Sequence, residues 1–214
     1  MSIDLAIEAI ENFQGNSLTK SLSDIESLIH KMGLNEVHSF CGDRGIDDAF
    51  LASALSIKKV AGQINVIIHA AGILRSLQNI LEPGEEIVSV SLGAGNTGRK
   101  FDLETNYRVA EYKFIDWQGN ADTIRQNSTF KDFFELAEHE TPKKKYLYLI
   151  GTKIPLKFFH GGRALTSVLS RQPEILARIN EKYGLGIKRV CDYYDLKKQE
   201  VSICDVAPFI GRGI

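Results

Sequence analysis

The stretch FDLETNYRVAEYKF, residues 101–114, carries the pattern on which the fold turns. Residues 101–105 and 108–117 alternate as strands do, and Asn106 with Tyr107 between them suits a tight hairpin. Side chains two apart in a strand share a face, so Glu111 and Lys113 point the same way. Hairpin pairing brings Asp102, nine positions before Glu111, onto the neighbouring strand and beside it. Asp102 is flanked by Phe101 and Leu103, and the Glu111–Lys113 tripeptide by Val109, Ala110, Phe114 and Ile115. Ionised groups in such apolar strands are costly unless they pair or bind a metal, and clusters of this kind are more often functional than decorative. Two carboxylates beside one lysine form a hard-oxygen site for Mg²⁺ or Mn²⁺, with the main-chain carbonyl of Tyr112 as a further ligand. A metal there polarises a phosphate and acidifies a bound water, and Lys113 orients that water or neutralises developing charge.

Outward from this hairpin the periodicity changes. Upstream, apolar residues at helical intervals predict helices over 3–13 and from about 18 to Lys31. A third helical region covers roughly Asp47 to Leu81, as one helix or two broken near Gly62, and is stopped by EPGE at 82–85. Residues 36–45, with FCGDRG, read as a loop with a short strand. IVSVSL at 87–92 is a strand. Downstream, 121–138 is helical, YLYLIG at 146–151 is a buried strand, and helices cover about Arg163–Ser170 and Pro173–Tyr183, with Gly184 ending the latter. The tail from Lys188 holds a strand and a short helix. The order is that of an α/β or α+β domain, a mixed central sheet flanked by helices. Residues 1–58 form an N-terminal helical extension and 59–214 the main domain, or the two are continuous.

FDLETNYRVAEYKF resembles the D…(D/E)xK signature of the restriction-endonuclease-like nucleases, the PD-(D/E)XK superfamily. The resemblance covers about residues 60–150 and implies a restriction-endonuclease-like fold and hydrolysis of phosphodiester bonds, in DNA, by a metal-activated water. It assigns metal binding to Asp102 and Glu111, and assistance of the attacking water to Lys113. QNSTF, from Gln126 to Phe130, resembles the QxxxY element of the exonuclease branch with Phe in place of Tyr, which makes Gln126 a further catalytic candidate. Phe101 stands where a Pro usually precedes the first Asp. An upstream acid is often supplied by a helix in this superfamily; Glu82, Glu85, Glu86 and Gln63 are the candidates. A homodimer and a part in defence against foreign DNA follow from the resemblance alone.

LGAGNTGR sets Gly93, Gly95 and Gly98 in GxGxxG spacing after a strand, the fingerprint of a dinucleotide-binding turn. That fingerprint needs a helix opening at its third glycine, and RKFDLETNYRVAEYKF alternates like strands instead. Within the nuclease reading, Asn96, Thr97 and Arg99 are phosphate contacts beside the metal. Arg125 and Lys131 on the next helix face nucleic acid, or pair with Asp122, Asp132 or Glu135 on the helix surface. His160, Arg163 and Arg171 are further phosphate contacts. Asn65 and His69 share a helix face, as support for the site or, on the favoured reading, as polar groups bonded between helices. Trp117 reads as core or rim rather than a platform for a base. A non-catalytic module binding nucleic acid or protein is the other function class these residues allow.

Composition sets the outer limits. The net charge of −1 hides 14 Lys+Arg against 6 Asp+Glu from residue 141 onward, and 12 against 21 before it. A basic final third can lie along phosphates or be a solvated surface. Cys41, Cys191 and Cys204 form no CxxC unit or zinc pattern, and Met1 opens no signal-peptide pattern. Val66–Leu74, the longest apolar stretch, is too short to span a bilayer. A reduced, cytoplasmic protein without membrane association is the expectation.

Overall fold

A computed structural model describes residues 3–93, 98–114, 117 and 123–210. Contacts divide the chain into Met1–Asn65 and Val66–Ile214. The first unit holds α1 (Ile3–Gln14), α2 (Leu18–Ile29), α3 (Leu34–Asp43) and the opening of α4 (Asp48–Ile80). Ser17 Oγ caps α2 by accepting from the Lys20 N–H at 3.4 Å. Glu36 accepts from the Gly33 N–H at 2.7 Å and so starts α3. The loop and strand expected over 36–45 are therefore helical up to Asp43, and the glycine of FCGDRG that breaks the helix is Gly45, at φ 62°. α4 runs unbroken through Gly62, and by length and composition it could cross a membrane. Its later turns have another role, because Ile73 and Leu77 pack onto the sheet.

The second unit is a mixed α/β domain around an open five-stranded sheet in the order β1-β2-β3-β4-β5. The strands are β1 (Ile87–Val90), β2 (Leu103–Thr105), β3 (Arg108–Lys113), β4 (Lys144–Leu149) and β5 (Val201–Asp205). β2 runs antiparallel to β1 and β3, whereas β3, β4 and β5 are parallel. The two parallel crossovers carry α5 (Thr123–Glu138) and then α6 (Lys153–Phe159), α7 (Leu165–Val168), α8 (Pro173–Tyr183) and α9 (Val190–Lys197). α10 (Ala207–Ile210) follows β5. The helix expected over Arg163–Ser170 is confined to α7, α6 lies where no helix was assigned, and the tail from Lys188 holds its expected strand with short helices on either side, α9 and α10.

Alternation along the strands divides the core in two. Val109, Leu147, Leu149 and Val201 face one layer with Phe130, Phe133 and Phe134 of α5 and Phe159, Ile179 and Tyr193 of the later helices. Leu103, Ala110, Tyr112 and Tyr148 face the other layer with Ile73 and Leu77 of α4. Both faces of β3 and β4 are covered, which is why YLYLIG is so apolar. At the turn end of the hairpin, Thr105 Oγ1 accepts from the Tyr107 and Arg108 amides at 3.0 and 2.9 Å. The buried Arg108 guanidinium there grips Glu85 through Nε at 2.6 Å and Nη2 at 2.5 Å.

Candidate active site

β2 begins at Leu103, so the Tyr112 amide of β3 has passed the end of its partner strand. The Asp102 side chain takes that place: Oδ2 accepts from the Tyr112 N–H at 3.0 Å. The Asp102 carbonyl in turn accepts from the Ser91 N–H at 2.7 Å, tying the residue to the end of β1. N–H and C=O of one strand residue point to the same side, so the Tyr112 carbonyl also faces Asp102.

Glu111 hydrogen-bonds Asp102 side chain to side chain, and His69 of α4 brings Nε2 to 3.3 Å from Asp102 Oδ1. The His69 ring rests edge-on against Phe114, which positions it. On the same face as Glu111, the Lys113 ammonium lies 2.5 Å from Asp132 Oδ2 of α5. Three acids, one lysine and one histidine thus gather where β2 and β3 meet α4 and α5.

The charges compete. Burial, then the neighbouring Asp132 and Asp102, pushes the Glu111 carboxyl up to about 10. Burial also works against an ionised Asp102, but His69, the Tyr112 amide and the Glu111 hydrogen bond outweigh it and hold Asp102 below its ordinary range. At neutral pH Asp102 is the anion and Glu111 carries a proton toward it. Burial raises Asp132 despite the opposing Lys113. Burial lowers Lys113, yet Asp132, Glu111 and Asp102 together lift it above an ordinary lysine.

The structure thus brings Asp102, Glu111, Tyr112 and Lys113 together. Gln126 Oε1 accepts from Arg163 Nη1, so the two proposed site residues pair with each other. Arg163 also spans to Thr123 at 3.4 Å, and it fastens α5 to the segment before α7. Arg99 Nη1 turns back to the Val90 carbonyl at the end of β1. Asn96 and Thr97 lie outside the described residues. Arg125 and Lys131 remain near Lys113, each lining a cavity beside it. Glu82 and Glu85, candidate upstream acids, bind Arg108 at the turn end of β3. Five residues of strand, roughly 17 Å, separate that end from Lys113. The α4 residue that does arrive is His69, in the supporting role rather than as a polar group between helices.

Asp132 was hidden by its context. On a helix it reads as a surface partner for Lys131 or Arg125, but Thr129 and Leu136, three before and four after it, are both buried. An acid inside the apolar arc of a helix was the available signal.

Past Gly98, at φ 70°, the chain bends and enters β2, so the helix that a dinucleotide turn requires does not follow. Among the described residues no three His, Cys, Asp or Glu side chains are arranged as a complete metal-ligand set. The Asp102–Glu111 pair does fit a divalent cation in its chemistry: hard oxygens, half buried, crowded enough that one must hold a proton when no cation is near. The chain matches no family model, no curated protein and no solved structure.

Proposed function

We propose that this protein is a metal-dependent nuclease with a restriction-endonuclease-like fold, hydrolysing phosphodiester bonds, in DNA, at the junction of β2, β3 and α5. The observation that carries the reading is the hydrogen-bonded pair Asp102–Glu111 beside Lys113, whose ammonium lies 2.5 Å from Asp132. A mixed sheet with helices on both faces, Glu111 on β3 and Asp102 just ahead of the adjacent β2 agree with it.

Asp102, with the Tyr112 carbonyl on its side and Glu111 once deprotonated, would hold Mg²⁺ or Mn²⁺. Such an ion supplies Lewis acidity to a phosphate oxygen and lowers the pKa of a water it binds. The residues do the rest. His69 and the Tyr112 amide fix the Asp102 carboxylate from two directions, so it is oriented before anything binds. Asp132 keeps Lys113 protonated and in place, and the ammonium can offset charge that builds on the phosphate.

The test is cleavage of plasmid and oligonucleotide DNA in Mg²⁺ by wild type, Asp102→Asn and Lys113→Ala. Loss of cleavage by about a hundredfold or more in each variant is expected, and wild-type rates in both end the proposal. The incomplete ligand set leaves one second reading, a nucleic-acid-binding module whose acids are structural. Such a module would gain no thermal stability from Mg²⁺.

A further inference from the structure

Two cavities open side by side at Lys113. One, of about 570 Å³, lies between α5 and the turn after α7 and is polar, with Thr123, Ser128, Lys131, Arg171 and Gln172 in its walls. The other, of about 140 Å³, is apolar and lined by Trp117, Ile124, Leu149, Ile150 and Pro155 among others. Ile124 and Ser128 form the wall they share, and Ile124 is 70% exposed at the mouth, an apolar side chain left in water.

Each cavity also has a polar atom without a partner among the described residues. Trp117 is only 7% exposed, and its buried indole Nε1 has no hydrogen-bond partner among the described residues. In the polar cavity Gln172 Oε1 is buried and equally unpaired. Neither atom has accessible surface, so the cavity walls rather than these two atoms are what a ligand would meet.

We propose that the paired cavities seat one unpaired nucleotide of a single-stranded nucleic acid, its base beside Trp117 and its phosphate on Lys131 and Arg171. A nucleobase has apolar faces and a polar edge, and the small cavity offers apolar walls with Ser128 and Thr129 among its lining residues. The larger cavity offers two exposed cations and hydroxyls for a phosphate. A volume of about 570 Å³ holds a single nucleotide-sized ligand, not a double helix. The site shares Lys113 with the acid cluster, so it would present the adjoining phosphodiester to that cluster; this last step rests on the nuclease reading, while the binding does not.

Trp117 is the only tryptophan, so its emission reports on the cavity directly. The experiment titrates the full chain, as Glu111→Gln in EDTA so that nothing is cut, with an oligothymidylate and with a blunt duplex of equal length. The single strand should change Trp117 emission saturably and the duplex should not. Lys131→Ala with Arg171→Ala should weaken binding about tenfold and reduce the salt slope by about 1.4, one single-strand phosphate contact for each side chain. Ser128→Phe, which fills the shared wall, should abolish the emission change while the melting temperature stays near that of the parent. Equal binding of duplex, or single-strand binding with silent emission, overturns the proposal. Wild-type cleavage of DNA without a Trp117 response sinks the nucleotide seat and leaves the nuclease standing. A Trp117 response in a protein that never cleaves does the reverse.

Discussion

At the scale of single residues, the site is a set of charges that burial forces to choose. Glu111 is protonated when folded, with its pKa pushed up to about 10 by burial, Asp132 and Asp102, but it ionises normally when the chain unfolds. A carboxyl with a raised folded pKa contributes stability that is intact below its unfolded pKa and is lost as pH climbs toward the folded value. Glu111→Gln keeps the neutral shape and removes that loss. The variant should melt above wild type in EDTA, by a margin that widens between pH 5 and 9, while cleavage disappears; equal melting at pH 9 would refute the protonation assignment. Lys113 gives a second expectation. Burial lowers it and Asp132 is the foremost group raising it, so Asp132→Asn should shift the alkaline limb of the cleavage pH profile to lower pH. A merely structural Asp132 would leave that limb in place. The three hairpin residues were legible because strand alternation fixes which side chains share a face. Asp132 and His69 were not, because their partners are across the fold and helical spacing says only which neighbours on the same helix they meet.

Elements meet at two points that single substitutions can probe. A Cβ on Gly72 of α4 would fall 2.5 Å from the Phe114 ring, so the glycine is what lets α4 approach the end of β3. Gly72→Ala should cost about 1–3 kcal/mol through overpacking, beyond what improved helix propensity returns, and should displace His69 as well. Denaturant unfolding measures the loss, and a stabilised variant would show that the layers can part cheaply. At the far end of the hairpin, Arg108 is bound by Glu85, and at 2.9 Å by the Tyr148 hydroxyl. Arg108→Ala strands a buried carboxylate and should cost about 3–5 kcal/mol; Arg108→Met with Glu85→Gln should recover much of it. The strands and long helices were readable from period alone. α3 and α6 were not: α3 is a short helix between Gly33 and Gly45, and α6 owes its existence to docking, with Phe159 fully buried in the core.

For the whole molecule, the acid pair couples stability to cations. A divalent ion that displaces the Glu111 proton must compete with it, so Mg²⁺ should raise the melting temperature more at pH 8.5 than at pH 5.5. Each kcal/mol of such binding is worth about 2–4 °C in a chain of this size. A shift that is absent or independent of pH would place the ion away from Glu111. The sheet also has a temporal meaning. Asp102 immediately precedes β2 and Glu111 lies on β3, with Asn106 and Tyr107 between the two strands, so their encounter closes only a short loop. Pairing β3 with β4 must wait for the α5 crossover, and pairing β4 with β5 for a longer one. The two acids therefore meet early in folding, in water, where their mutual repulsion is weak. The arrival of α5 then buries them and brings Asp132 to Lys113, so the last closure of this layer draws a proton from solvent onto Glu111.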